Sequence, residues 1–413
     1  MKHLQNQIIN IFLGKVPSSA FHPLMATMAA GLPHFSTGWS RCWGRDTFIS
    51  FKGILLIPGH FDEAKEILLS FASCLRHGLL PNLLDKGVKP RYNCRDATWW
   101  FIKAIKDYIE FTKDESIWKI QIELKFLDDS QEVHQKKLQA GEKRVLTMAE
   151  IVQEIMEKHA LGIKFREWGA GFELDYNMEY EGFNVYLFLD EETGFIYGGN
   201  HKNCLTWMDK MGSSTKAGNK GIPSTPRDGA PIEMTALLYS ALEFLIKSNE
   251  SKQYQFDSVA LQNNRRLNYK EWAEKIKSNF EKNYFIPTEK EKNVYFNVIE
   301  GAVRRRGIYK DVVKCTKTRS EYQLRPNGCI AIAIAPELFV RKNAFLYLSW
   351  VEEMLIEENS IGLKTLDKIA AEYSPFYNNG DDSEQNKIAH GYSYHNVFFF
   401  YFLNFNLFLI KGT

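Results

Sequence analysis

Three Arg-Asp pairs stand directly before segments whose spacing predicts helices, and carboxylates at such positions can do chemistry. The pairs are Arg45-Asp46, Arg95-Asp96 and Arg227-Asp228, and the first two are 50 residues apart. Repeated helical hairpins would place every second helix start at one end of the fold, where the three carboxylates could converge on a shared cavity. Asp is also a favoured N-cap residue, so simple capping of each helix is the alternative.

Aromatic and charged residues surround the first two pairs. Residues 39–46 read WSRCWGRD, and residues 91–100 read RYNCRDATWW. An aromatic ring can cover the flat face of a sugar while Arg and Asp bind its hydroxyl groups. The candidate residues for such contacts are Trp43, Arg45, Asp46, Arg95 and Asp96. The alternative is that these aromatic rings pack against the start of a helix.

A third cluster lies in a region rich in Gly and Pro, where the backbone can approach a ligand closely. It contains WMDKMG at 207–212 and TPRDGAPIE at 225–233. Asp228 is the candidate general acid, a role that requires a raised carboxyl pKa, whereas a helix start lowers it. The role therefore requires burial against aromatic rings or a neighbouring carboxylate such as Glu233.

Polar and aromatic residues also crowd the segment 362–396, on backbone predicted to be irregular, as is typical of a binding loop. His390 and His395 lie five residues apart there, and a structural role explains them better than zinc binding does. The sequence shows no nucleotide-binding glycine fingerprint, metalloprotease signature or nucleophile elbow. We therefore expect neither a metal nor a cofactor.

Helical periodicity dominates the chain, and strand-like alternation is scarce. Helices are predicted over residues 47–57, 61–76, 97–111, 148–161, 231–246, 269–284, 329–335 and 343–358. Two polar stretches, at about 112–147 and 247–268, look like insertions at an edge, and neither has the composition of an interdomain linker. A single all-α domain is the simplest prediction.

Composition narrows the class of partner. The 413 residues include 52 basic and 50 acidic side chains, and a net charge of +2 gives no field that would steer nucleic acid. Aromatic residues make up 14% of the chain, which suits either a groove for sugars or a large core. Six widely spaced cysteines without a C-x-x-C pair favour reduced thiols in the cytosol. The uncharged run 397–410, VFFFYFLNFNLFLI, is shorter than the about 20 residues that span a membrane, so no membrane partner is expected.

Six ordered segments together resemble the C-terminal amylo-α-1,6-glucosidase domain of eukaryotic glycogen debranching enzymes. They are GLPHFSTGWSRCWGRDTFIS at 31–50, LRHGLLPNLL with RYNCRDATWW within 75–100, YGGNHKNCLTWMDKMG at 197–212, GIPSTPRDGAPIE at 221–233, YQLRPN at 322–327 and GLKTLD at 362–367. The resemblance covers the chain from about residue 25 to 396. The segments match as a set, which favours this family over the first alternative, another inverting exo-glucosidase such as a glucoamylase-like or trehalase-like enzyme.

The resemblance implies an (α/α)6 toroid over residues 1–396, like those of glucoamylase and trehalase, located in the cytoplasm and working without a cofactor. It implies inverting hydrolysis of the single α-1,6-linked glucose left on a branch of glycogen or limit dextrin, by one carboxylic acid and one carboxylate base. By similarity the general acid is Asp228. The residues that would line the glucose subsite are Trp43, Arg45, Asp46, Arg95, Asp96, Trp207, Asp209 and Glu233.

Two departures from the family pattern limit these expectations. No segment resembles the transferase half of the family's long polypeptides. After Asn396 the family continues with a Gly-Pro-Glu-Trp segment and reaches its general base, a Glu, near the C-terminus, whereas residues 397–413 form a divergent hydrophobic tail. We therefore expect an incomplete toroid and weak hydrolysis, since losing a water-activating base costs about 10²- to 10⁴-fold in rate. The second alternative is a glucan-binding protein without catalytic activity.

Overall fold

The computed structural model describes residues 13–16, 25–28, 41–85, 89–126, 144–216, 218–357, 362–373 and 399–400. The predicted binding loop beyond residue 373, with His390 and His395, lies outside these residues. So does the predicted tail 397–413, apart from Phe399–Phe400, which forms a short strand. Among the helices that the structure describes, none is long and apolar enough to cross a membrane.

Helices are the main regular elements, which confirms the predicted helical class. The α-helices are α1 (Gly44–Phe51), α2 (Phe61–Ala72), α3 (Ala97–Thr112), α4 (Met148–Leu161), α5 (Ile232–Glu250), α6 (Tyr269–Tyr284), α7 (Thr318–Glu321), α8 (Asn327–Ile334) and α9 (Arg341–Leu355). A π-helical segment, Lys52–Leu56, continues α1, and 3-10 turns lie at Glu115–Lys119, Tyr180–Phe183, Gln262–Asn264, Lys290–Lys292, Glu300–Ala302 and Pro336–Leu338. Helices α4 and α6 occupy the predicted ranges, whereas the short α7 was not predicted.

Short antiparallel strands join the helices, a feature that the sequence did not predict. The strands are β1 (Leu13–Val16), β2 (Met25–Met28), β3 (Arg41–Trp43), β4 (Leu83–Asp85), β5 (Lys89–Arg91), β6 (Gln121–Glu123), β7 (Val145–Thr147), β8 (Ile163–Arg166), β9 (Asn184–Leu189), β10 (Ile196–Gly198), β11 (Ala230–Pro231), β12 (Ser258–Ala260), β13 (Arg266–Asn268), β14 (Phe285–Ile286), β15 (Ile308–Tyr309), β16 (Val312–Val313), β17 (Leu363–Lys364) and β18 (Phe399–Phe400). Antiparallel pairing joins β1 to β2, β3 to β4, β4 to β5, β6 to β7, β9 to β10, β11 to β16, β12 to β13, β14 to β15 and β17 to β18. Strands this short offer too few positions for apolar and polar alternation to be recognised.

Local sequence fixes the boundaries of α4. The Thr147 hydroxyl accepts a hydrogen bond from the backbone N–H of Glu150 at 3.2 Å, and the Glu150 carboxylate accepts one from the N–H of Thr147 at 2.7 Å. This reciprocal capping box satisfies two amides that would otherwise have no partner within the helix. Gly162, with a φ of 95°, ends the helix in a conformation that disfavours other residues.

The backbone contacts divide the chain into two compact units. The first unit is Met1–Trp168 with Phe244–Tyr269, and the second unit is Gly169–Glu243 with Lys270–Thr413. Helix α5 belongs to both, because its first residues lie in the second unit and its last turns in the first.

Each unit has its own aromatic core. In the first unit, the ring of Phe48 meets Phe71 and Phe101 edge to face, with centroids 4.8 and 5.3 Å away. In the second unit, Phe339 meets Phe280 and Tyr309 in the same geometry, both at 4.9 Å. Such pairs contribute beyond the apolar area that they bury.

Candidate functional site

In the first unit, the start of α1 is built from residues that the sequence analysis placed in separate motifs. Pairing of β3 with β4 brings the RCWGRD segment against the LLPNLL segment. The carbonyl oxygen of Asn82 accepts from the N–H of Gly44 at 2.7 Å, and its Oδ1 accepts from the N–H of Arg45 at 3.2 Å. A Cβ on Gly44 would lie 2.4 Å from the carbonyl oxygen of Pro81, so this close approach requires glycine.

The second feature of this unit is a buried ion pair between two predicted site residues. Arg45 Nε donates to Asp96 Oδ2 at 2.8 Å, and the side chains are 7% and 1% exposed. The other carboxylate oxygen of Asp96 accepts from the Cys94 thiol at 2.6 Å. Burial raises the pKa of that thiol, against the lowering effect of Arg45. Both oxygens of Asp96 are therefore engaged within the protein.

The remaining predicted residues of this unit occupy different environments. Trp43 is half-buried, Arg95 is buried, and Asp46 is exposed in the first turn of α1. The prediction that each Arg-Asp pair directly precedes a helix holds only for Asp96 and is wrong for the other two pairs. Asp46 is the third residue of α1, and Asp228 lies four residues before α5. Even Asp96 does not cap α3 with its side chain, because that carboxylate binds Arg45 instead.

In the second unit, a sharply bent backbone presents Asp228. The residues on either side, Arg227 and Gly229, have φ angles of 44° and 110°. Gly198 and Gly229 exchange backbone hydrogen bonds of 3.1 and 2.8 Å, which joins the YGGN segment to the RDG segment. A Cβ on Gly229 would lie 2.3 Å from the carbonyl oxygen of Val313, so the bend and the close approach both require glycine.

The Asp228 carboxyl is buried, with 6% of the residue exposed, and three donors contact it. Oδ1 accepts from the Cys315 thiol at 3.1 Å. Oδ2 accepts from the backbone N–H of Thr316 at 3.0 Å and also from the Thr316 hydroxyl. The carboxyl is thus buried among Cys315 and Thr316, whereas the sequence had called for aromatic rings or a neighbouring carboxylate such as Glu233.

Arg227, the residue before Asp228, belongs to a buried network of charges. Its Nη1 and Nη2 donate to the two carboxylate oxygens of Glu233, both at 2.6 Å, and its Nε donates to Asp311 Oδ2 at 2.6 Å. Burial opposes the charge of Arg227, but Asp311 and Glu233 raise its pKa above the ordinary value. Glu233, at 1% exposure, thus has both oxygens engaged by Arg227.

The network continues to the predicted sugar-contacting tryptophan. Trp207, half-buried, donates from Nε1 to Asn327 Oδ1 at 2.9 Å. Asn327 Nδ2 donates in turn to Asp311 Oδ1 at 2.7 Å. One chain of hydrogen bonds therefore runs from the indole through Asn327 and Asp311 to Arg227. Asp209, two residues after the tryptophan, is exposed.

A second carboxylate supports the turn that holds Asp228. Glu321 Oε1 accepts from the backbone N–H of Cys315 at 2.9 Å, and Glu321 Oε2 lies 3.8 Å from Lys310 Nζ. Burial raises the pKa of Glu321 above its ordinary value. Burial also lowers the pKa of Lys310, and the negative charge of Glu321 only partly opposes that lowering. Glu321 therefore links a buried lysine to the backbone beside the candidate acid.

Sequence reasoning missed most of these supporting residues. Asn327 lay within the YQLRPN segment but received no role, and Asp311 lay in none of the quoted segments. The motif segments likewise did not include Cys315, Thr316 or Glu321. A usable signal was present only for Asp311, whose Lys310-Asp311 pair stands in an otherwise apolar stretch, IYKDVV. Within the described residues, no cluster of three or more His, Cys, Asp and Glu is arranged to hold a metal ion.

A mainly helical chain that holds a buried carboxyl, Asp228, and a half-buried indole, Trp207, in the same unit fits the glycoside hydrolases that use carboxyl groups. The sequence profile of the amylo-alpha-1,6-glucosidase family matches residues 11–408, and the chain belongs to this family. The match reaches into the segment 397–413 for which the motif comparison found no counterpart.

A curated relative agrees with this assignment. The glycogen debranching enzyme of Saccharomyces cerevisiae is 46% identical over 376 residues, which cover 89% of this chain and 24% of the relative. The chain thus spans about a quarter of the length of that relative.

Proposed function

We propose that this chain binds branched α-glucan and hydrolyses α-1,6-linked glucose at the branch, with Asp228 as the general acid. The substrate would be glycogen or a limit dextrin, and the fold an (α/α)6 toroid, located in the cytoplasm. The eight residues that the family resemblance implies would bind the glucose, and two of them, Asp46 and Asp209, are exposed.

The observation that carries this proposal is the environment of Asp228. Its carboxyl is buried, and its hydrogen-bond donors among the described residues are uncharged groups of Cys315 and Thr316. The adjacent cation, Arg227, forms buried ion pairs with Glu233 and Asp311. Burial of a carboxyl that neutral groups hold in one orientation supports its assignment as the acid of the reaction.

The reaction requires two proton transfers. Asp228 would protonate the bridging oxygen while water attacks the anomeric carbon, and a carboxylate on the opposite face would take the proton from the water. We have assigned no residue of this chain to the second role. We therefore expect slow turnover compared with an enzyme in which both roles are filled.

The experiment is an assay of glucose released from a glucosyl-branched cyclodextrin by the purified chain. Asp228→Asn should abolish the release while leaving the thermal unfolding temperature within a few degrees of the original. Asp62→Asn, a change at an exposed residue of α2, is the matched control and should keep the activity. Release that survives Asp228→Asn would contradict the assigned mechanism.

Two further results would redirect the proposal. Binding of the branched substrate without any glucose release would identify a glucan-binding protein without catalytic activity. Equal release from linear maltooligosaccharides would identify an exo-glucosidase that does not select the branch linkage. Absence of both binding and release would contradict the proposed function.

A further inference from the structure

The two oxygens of the Asp228 carboxyl have unequal partners. In the part of the chain that the structure describes, Oδ2 accepts from the N–H and from the hydroxyl of Thr316, whereas Oδ1 accepts only from the Cys315 thiol. A thiol is a weak hydrogen-bond donor, and an amide or hydroxyl group is a strong one. The two oxygens therefore differ in how readily each can carry a proton.

The residues that create this difference are themselves held in place. Lys314, just before them, has a φ of 57°, an uncommon conformation for a residue with a side chain. The N–H of Cys315 donates to Glu321 Oε1 at 2.9 Å, and the N–H of Asp311 donates to the carbonyl oxygen of Glu321 at 2.9 Å. The turn 314–316 is thus held by contacts other than those with Asp228, and it can keep the carboxyl in one orientation.

We infer that Thr316 is a positioning residue, whose two donors hold Oδ2 so that Oδ1 carries and delivers the catalytic proton. The inference rests on the proposed function, because it concerns the carboxyl that acts as the acid there. Thr316 would not itself contact the reacting atoms. It acts through the carboxyl of Asp228.

Proton transfer from Asp228 would accompany cleavage of the glycosidic bond. The Oδ1–H bond breaks and its proton passes to the bridging oxygen, while the bond between that oxygen and the anomeric carbon breaks and releases the alcohol. Water forms the new bond to the anomeric carbon and gives a proton to a carboxylate base on the opposite face. Asp228 is left as a carboxylate, and its negative charge is shared with Oδ2. The Thr316 donors then become hydrogen bonds to a charged acceptor, which are stronger than those to a neutral one. They therefore stabilise the transition state more than the ground state.

The test compares Thr316→Val with Thr316→Ser on two substrates. Valine has nearly the shape of threonine but lacks the hydroxyl, and serine keeps the hydroxyl. The first substrate is the glucosyl-branched cyclodextrin, whose leaving group needs a proton. The second is α-glucosyl fluoride, whose leaving group departs without one. Both are assayed under single-turnover conditions with the whole chain, and circular dichroism verifies folding.

Thr316→Val should lower the rate on the branched substrate by about tenfold or more, with the concentration for half-maximal rate unchanged. Its rate on the fluoride should stay within about twofold, and Thr316→Ser should resemble the original chain on both substrates. Cys315→Ala should cost less than Thr316→Val on the branched substrate, because it removes only the weak donor.

Each other outcome counts against a specific claim. Equal losses on both substrates, or a loss with Thr316→Ser as large as with Thr316→Val, would mean that Thr316 is merely structural and would overturn the inference. No loss with Thr316→Val would overturn it as well. In either case, a selective loss with Asp228→Asn would leave the proposed function intact. If Asp228→Asn shows no selectivity, or the original chain acts on neither substrate, the proposed function fails and this inference fails with it.

Discussion

Arg227 Nε and Asp311 Oδ2 lie 2.6 Å apart in the interior of the second unit, and 84 residues of sequence separate the two side chains. Asp311 also accepts from Asn327, so a single carboxylate joins the arginine to the partner of Trp207. Because Arg227 immediately precedes Asp228, this ion pair fixes the backbone that presents the candidate acid. Glu233 supplies a second carboxylate to the same guanidinium.

Replacing Asp311 should destabilise the second unit strongly. Asp311→Asn would leave Arg227 buried with one carboxylate instead of two, and breaking a buried pair typically costs about 3 to 5 kcal/mol. Urea unfolding measures this loss. The control is Lys292→Ala, which removes an exposed ion pair with Glu289 and should leave the unfolding midpoint nearly unchanged. Equal stability of Asp311→Asn and the original chain would contradict the structural role assigned to the pair.

Trp207 should contribute to glucan binding through its ring and to the network through its N–H. Trp207→Ala should weaken binding of a branched oligosaccharide by about tenfold, because stacking area is lost. Both variants leave Asn327 Oδ1 without the indole donor. Trp207→Phe keeps an aromatic face, so it should retain more affinity than Trp207→Ala. Isothermal titration measures both changes, and helical circular dichroism should be preserved. Unchanged affinity in Trp207→Ala would remove this residue from the subsite.

The sequence predicted helices and motif segments well because those signals are local. The capping box of α4 and the apolar periodicity of α6 lie within a few turns of the residues that they position. The contact between the YGGN and RDG segments could not be derived in this way. It depends on two glycines meeting backbone to backbone, at Gly198 and Gly229.

The hydrogen-bond partners of the candidate site residues could not be predicted from the sequence either. Asp96 was predicted to cap a helix or bind a sugar, but Arg45, 51 residues earlier in the chain, engages its carboxylate. Thr316 is 88 residues from Asp228 and sits in a segment, KCTKT, that has no distinctive pattern. Such pairs follow from the tertiary fold, which one sequence does not reveal.

Gly229 should not tolerate a side chain. Gly229→Ala would place a Cβ 2.3 Å from the carbonyl oxygen of Val313 and would force alanine to adopt a φ of 110°. We expect a loss of more than about 1 kcal/mol in the free energy of unfolding, and a lower affinity for branched glucan because Asp228 moves with the backbone. Gly53→Ala is the control, since a Cβ there meets no atom within 4 Å. Similar stability for both variants would contradict the close approach at Gly229.

His159 should make the stability of the chain depend on pH. Its ring is buried and lies against Trp99, with centroids 4.5 Å apart. Burial lowers the pKa of His159 to about 4, although a hydrogen bond with the carbonyl oxygen of Ile155 partly opposes this effect. The unfolded chain therefore binds a proton between pH 6.5 and 4 that the folded chain does not bind.

The contribution of His159 to stability should be complete above about pH 6.5 and should be lost as the pH falls towards 4, by up to roughly 3 kcal/mol. Urea unfolding at pH 4.5, 5.5 and 7.5 measures the slope. His159→Phe should reduce the dependence on pH, because it removes the titrating group and keeps an aromatic ring against Trp99. His201→Gln, a change at an exposed residue, should leave the slope unaltered. If His159→Phe and the original chain lose stability in parallel between pH 7.5 and 4.5, then other groups cause the acid sensitivity.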